Sequence, residues 1–216
     1  MKNQKIPAPA GRMLVRNNWT ASSDRMTIIT PLTMFYKIRD KKTGKLLHAA
    51  FYPGSMSSAY LPDNAVSHQH DHFELMYVLE GELTNKIERI SYTYKKGDAC
   101  LLNRNTRHTD IPGPHCSVVF INFHAEYIMD LAEKDVLFDV SPRLTPPGGL
   151  IHEFLHSNLQ GEERFARNYL EFSPTLYSLS SSSDNPAETL IDQMQQLLLD
   201  NKPGGSYFLR GLLLRL

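Results

Sequence analysis

The chain has 216 residues, 41% of them hydrophobic, which is enough to bury the core of a globular domain and excludes a disordered polypeptide. Its 23 basic and 23 acidic residues cancel, so the molecule as a whole exerts no electrostatic pull on phosphate backbones or anionic lipid. Nowhere do ~18 apolar residues run together, and the amino end, MKNQKIPAPAGRMLVRNN, lacks the apolar stretch of a signal peptide; a cytoplasmic protein without a membrane span is expected.

Residues 1–30 read as an amino-terminal extension, residues 31–124 as a β-barrel and residues 125–216 as a small helical subdomain. In the barrel region, LTMFYKIRD and KLLHAAFY flank KKTG, a hairpin loop in which Gly44 supplies the left-handed residue. FELMYVLEG and ELTNKIE follow with Gly81 at the bend, then ISYTY, KKGD, ACLLN and finally SVVFINFH. Cys100 and Cys116 each sit in an apolar run and read as buried free thiols.

Beyond His124 the period changes. Ile128, Met129 and Leu131 point to a short helix, and LIHEFLHSNL to another. Asp184 or Asn185 can cap a helix opened by Pro186 and Glu188, with Leu190, Met194, Leu197 and Leu198 on its buried face. In the last segment a Ser206 cap precedes Leu209, Leu212, Leu213 and Leu216 at helical spacing. Phe208 and Leu214 widen that apolar surface beyond what one small sheet covers, so a homodimer sharing this face is expected. The pattern breaks off at Leu216 without a stop signal, which reads as a polypeptide cut from a longer one.

The chemistry concentrates in HQHDHFELMYVLEG, where His68, His70, His72 and Glu74 alternate. On one strand they share a face, yet His68 and Glu74 would stand roughly 20 Å apart, whereas a metal holds its ligands at about 2 Å. His68 and His70, ~7 Å apart at the backbone, can pinch a cation; Glu74 joins only if the chain bends near Asp71 to Phe73. That bend would turn His72 toward solvent. Three readings stay open: a divalent metal, a polar pocket lining that hydrogen-bonds an effector, or an internally bonded histidine cluster. Tyr77 reads as packing material. No nucleophile motif, phosphate-cradling glycine loop or second carboxylate near the cluster stands out, so no catalytic residue is assigned.

His68, His70, Glu74 and Gly81, followed by Gly97-Asp98 and His108, resemble the two motifs of the cupin superfamily, a small β-barrel. The family's Pro-x-Gly turn is replaced here by Asn103-Arg104-Asn105, and Pro112 stands where the family has an Asn. The run from Val66 to Leu216, above all to His124, is similar to the amino-terminal sensor half of AraC-type transcription regulators. The resemblance implies a cupin (double-stranded β-helix, jelly-roll) barrel followed by helices, holding a small effector such as a sugar or other metabolite. DNA would be bound only by a separate carboxy-terminal helix-turn-helix domain. It also implies that His68, His70, Glu74 and His108 bind the effector or one divalent metal (zinc, nickel, iron or manganese), while Arg107, with Arg104, either clamps an effector anion or is solvated. The alternative is a metal-dependent cupin enzyme, an oxygenase or isomerase.

Overall fold

The structure, a computed structural model, describes residues 25–28, 30–62, 65–124, 126–127, 147–160, 168–172 and 186–216. Strands β2 (Leu32–Arg39) and β3 (Leu46–Tyr52) form the first hairpin. Asp40 Oδ1 accepts hydrogen bonds from the N–H groups of Lys42 and Thr43, and Gly44 takes a φ of +67°. A turn at Gly54 leads into β4 (Ser55–Leu61). Ahead of the hairpin, β1 (Arg25–Met26) pairs in parallel with β5 (Gln69–His70).

The body of the barrel follows as β6 (Phe73–Glu80), β7 (Glu82–Ile87), β8 (Ile90–Lys95), β9 (Ala99–Leu102), β10 (His108–Pro112) and β11 (Ser117–Phe123). With β12 (Tyr169–Phe172) they make a large sheet of order β12-β9-β6-β11-β2-β3-β4 and a small one of order β10-β7-β8. Gly81 joins β6 to β7 at a φ of +71°, and a Cβ there would meet His115 O at 2.8 Å, so only glycine fits this corner.

The centre of the large sheet is buried on both faces. Met76, Val78, Leu102, Val118 and Phe120 point between the sheets and pack with Leu83, Ile87 and Tyr94. Phe73, Tyr77, Leu101, Val119, Ile121 and Phe123 point the other way, under helices. Those helices are α1 (Pro147–Gln160), α2 (Pro186–Asp200) and α3 (Gly205–Arg215), contributing Phe154, Leu155, Ile191, Met194, Leu198, Leu209 and Leu213. Double burial explains why FELMYVLE and SVVFINF read as nearly continuous apolar runs and not as alternating ones. A barrel followed by helices is the architecture the sequence led us to expect.

Several expectations are refined. β4, SMSSAYL, is too rich in serine to announce a strand, yet pairs along its whole length with β3. β12 lies within the region read as helical and extends the sheet beyond β9, an example of tertiary pairing overriding local pattern. In α2 the buried face is Leu190, Ile191, Met194 and Leu198, with Leu197 only partly covered. The cap of α3 is Gly204, left-handed at a φ of +81° and without a side-chain cap bond; Ser206 lies inside the first turn. Leu209 and Leu213 are core residues of this chain and so are not free for a partner, while Tyr207 and Phe208 are each 71% exposed. Ile128, Met129, Leu131, Asp184 and Asn185, and the side chain of Leu214, lie outside the described residues.

Cys100 and Cys116 are buried and unbridged, and burial pushes their thiols up to about 12 and about 11. No described helix is long and apolar enough to cross a membrane.

Candidate functional site

One end of the barrel interior is polar, and backbone pairing puts it there. His68 and His108 exchange two backbone hydrogen bonds of 2.9 Å, an isolated antiparallel bridge that sets their rings on the same side with centroids 4.2 Å apart. The turn before β10 closes with Asn105 in the left-handed region at a φ of +60°, its N–H donating to His70 O at 2.7 Å. The chain then bends at Asp71 and His72 before β6 begins at Phe73, as the shared site requires. The bend brings Glu74 back to His70, Oε2 to Nε2, at 3.6 Å, and places Glu74 Oε1 3.4 Å from His108 Nε2.

Three backbone carbonyls orient the imidazoles. His68 Nδ1 lies 3.0 Å from Val66 O, His70 Nδ1 2.8 Å from His72 O and His108 Nδ1 3.0 Å from Thr106 O. A carbonyl can only accept, so each Nδ1 carries a proton and each ring turns its Nε2 away from the backbone. His70 Nε2, His108 Nε2 and Glu74 Oε1 are buried and have no hydrogen-bond partner among the described residues. Such orphaned atoms are costly unless something else meets them.

Burial by itself pushes the Glu74 carboxyl up, but the ring nitrogens of His108 and His70 more than reverse this and hold it well below the usual carboxylate range. Burial likewise pulls His108 down, and the facing Glu74 carboxylate, helped by Asp110, lifts it to about 9. His68 is lowered, by burial first and then by His108. The metal-free site is therefore an ion pair of Glu74 with protonated His108, flanked by neutral His68.

Of the residues singled out in the sequence, His70, Glu74 and His108 bring their donor atoms together, His68 joins His108 in a second group, and Arg107 is exposed on the turn before β10. Arg104 is neither a clamp nor solvated. Its Nη2 donates to Asn158 O at 3.0 Å and its guanidinium lies 5.7 Å from the Phe73 ring centroid, tying the turn to α1. His72 does not face solvent: it is fully buried, stacked on His70 at 4.3 Å, and burial, then His70, lowers it to about 4. Tyr77 is packed in the outer core.

Reading the sequence missed Asp110, Lys37, Asn85 and Asn122. Asp110 Oδ2 accepts from Lys37 Nζ at 2.6 Å inside the barrel, and burial, which would raise its carboxyl, is outweighed by Lys37 and His108, which lower it. Asn85 lies opposite Asp110 on β7, and Asn122 opposite Glu74 on β11; Asn122 Oδ1 and both side-chain polar atoms of Asn85 have no hydrogen-bond partner among the described residues. The period-two rule applied to His68 and His70 would have found Asp110, two residues after His108. The donor atoms of His70, Glu74 and His108 lie within 4.8 Å of one another, as do those of His68, His108 and Asp110. Imidazoles whose Nδ1 donates to a backbone carbonyl, converging with buried carboxylates, fit a divalent cation.

A family model described as the AraC-like ligand binding domain matches residues 56–216. No curated protein matches the sequence. Among solved structures, an apo ToxT variant from Vibrio cholerae is 12% identical with a TM-score of 0.46, over 86% of this chain and 54% of its own. A cupin-2 domain protein from Shewanella frigidimarina is 17% identical with a TM-score of 0.27, over 40% of this chain and 76% of its own. HppE with iron(II), in complex with substrate, is 18% identical with a TM-score of 0.27, over 36% of this chain and 45% of its own.

Proposed function

The chain belongs to the family of AraC-like ligand binding domains, and from that premise we propose that it captures a small effector, a sugar or other metabolite, inside its barrel. The observation that carries this is the set of inward polar atoms without a hydrogen bond among the described residues, His70 Nε2 and Asn122 Oδ1 together with Glu74 Oε1 and His108 Nε2, which meet only each other, as an ion pair at 3.4 Å. Their burial cost is offset when a ligand supplies the missing hydrogen bonds. His68, His70, Glu74 and His108 are the contacts proposed; Arg107, exposed on the rim turn, is at most an entrance contact. In this reading residues 31–124 form the effector-binding barrel, residues 1–30 an extension, and residues 125–216 a helical part that supports a homodimer. Reading DNA falls to helix-turn-helix units outside these residues, as in the regulators that the sequence resembles.

Occupancy can reach the helices by two short routes. β6 carries Glu74 inward and Phe73 outward, and the Phe73 ring meets Phe154 of α1 edge to face at 6.2 Å. The turn that aims His108 is tied to the same helix by Asn103 Nδ2 donating to Asn158 Oδ1 at 2.6 Å, beside the Arg104 bond. A ligand that draws Glu74 and His108 together favours one of two pre-existing placements of α1. A divalent cation, if one is resident, would be held by His68, His70, Glu74 and His108 and would supply a Lewis-acidic point that orients an oxygen-bearing effector.

The test is thermal unfolding against a panel of neutral sugars and small carboxylates. A ligand at about 100 times its Kd stabilises the folded state by about 2.7 kcal/mol. Glu74→Gln should abolish that gain; an effector whose gain survives the change binds elsewhere. The same unpartnered donors favour a second reading, a metal-dependent cupin enzyme, which would show turnover of a compound that merely saturates a sensor.

A further inference from the structure

Two groups of metal-capable donors overlap in the barrel: His70, Glu74 and His108, and His68, His108 and Asp110. They share His108. Its Nδ1 is committed to Thr106 O at 3.0 Å, leaving the single lone pair of Nε2. One lone pair binds one cation, so the groups cannot be two sites filled together. They are two alternative seats for one cation, joined at the His108 nitrogen.

Asp110 is the member that the family motifs do not contain. It lies on β10 two residues after His108 and is 6% exposed. Lys37 Nζ holds Oδ2 at 2.6 Å, while Oδ1 is buried without a hydrogen-bond partner among the described residues. Ionised oxygens are not left so without cost, and Lys37, 21% exposed at its side chain, already satisfies the other one. What Oδ1 lacks is an electrophile on the side of His68 and His108.

Resting on the metal reading above, we propose that Asp110 is itself a ligand to the barrel's divalent cation, with Lys37 as the positioning residue that holds its carboxylate from behind. The cation then sits on two imidazoles and one carboxylate, His68, His108 and Asp110, whose donor atoms lie within 4.8 Å of one another. Two imidazoles and one carboxylate, with positions left for water, suit five- or six-coordinate iron(II), manganese(II), cobalt(II) or nickel(II) over four-coordinate zinc. A ligating carboxylate fixed by a second partner is the usual arrangement around bound metals.

The experiment titrates the chelator-treated 216-residue chain, as wild type, Asp110→Asn and Lys37→Met, with cobalt(II) chloride. Affinity is read by competition with a chelator, coordination by visible absorption, and stability by thermal unfolding. Wild type should take up one cobalt with the weak bands of a five- or six-coordinate ion. Asp110→Asn should lose at least about tenfold in affinity and shift those bands. Lys37→Met should be stabilised by cobalt more than wild type is, because the cation replaces the lost charge partner of Asp110. An Asp110→Asn protein with unchanged affinity and bands overturns the assignment. So do intense four-coordinate bands in wild type, or equal cobalt stabilisation of wild type and Lys37→Met, and neither needs Asp110→Asn to fold. Wild type that takes up no cobalt overturns the metal reading itself.

Discussion

In metal-free protein, alkaline pH should remove about 3 kcal/mol of folding stability through a single buried imidazole. His108 is 1% exposed, and although burial disfavours its charged form, Glu74 Oε1 at 3.4 Å raises it from 6.5 to about 9. Between those values the folded chain keeps a proton that the unfolded chain has released. Stability from this group is therefore fully present below pH 6.5 and lost as pH rises through about 9. At about 1.36 kcal/mol per pH unit, the displacement is worth about 3 kcal/mol. The depressed Glu74 carboxyl reflects the same attraction and is not counted again. Cys100 and Cys116, ordinarily at 9.0 and pushed higher by burial, destabilise in the same direction only above that value. Urea unfolding followed by circular dichroism, with chelator present, measures the curve. Glu74→Gln should flatten it between pH 6.5 and about 9. A flat wild-type curve, or a slope that Glu74→Gln retains, would refute the reasoning.

Three further outcomes are expected. Phe154→Ala empties the contact of α1 with Phe73 in a fully buried position, and should cost about 3–5 kcal/mol in urea unfolding. Gly81→Ala meets both the φ of +71° and a 2.8 Å approach to His115 O, so a loss of more than about 1 kcal/mol is expected by the same assay. On α3, Leu213→Ala should cost about 2–5 kcal/mol, because Leu213 is core. Phe208→Ala, at a position 71% exposed, should stay within about 0.5 kcal/mol for the monomer yet shift a monomer–dimer equilibrium in sedimentation; no shift there would remove Phe208 from any dimer face.

The barrel strands were legible because each is bounded by turn chemistry: Asp40 and Gly44, Gly81, Gly97 with Asp98, and Asn105 all take the turn or left-handed geometries that their residue types favour. Among the strands that escaped notice, β4 and β12 owe their conformation to pairing with β3 and β9 and not to their own side chains. Three of the site residues could be named because period two puts His68 and His70 on one face and a bend recovers Glu74, and His108 because it ends a run that resembles the second cupin motif. Which residues face them from across the barrel is a matter of register between distant strands. Lys37 and Asp110, 73 positions apart, carry no sequence sign of their ion pair. His72 was misplaced for a related reason: the bend at Asp71 and His72 was foreseen, but the ring stacks inward on His70. The last helix was misread in part because heptad-like leucine spacing fits a dimer seam and the underside of a sheet equally well, and only the cover that Leu209 and Leu213 give the outer core distinguishes them.

The central claim, a small ligand held inside the barrel by these inward donors, is tested most directly by diffraction from crystals of protein purified without added chelator, measured across metal absorption edges. The result expected is density beyond ordered water, anomalous or organic, within bonding reach of His70, Glu74 and His108. An interior holding only water, with an added effector seated on the outer surface instead, would contradict it.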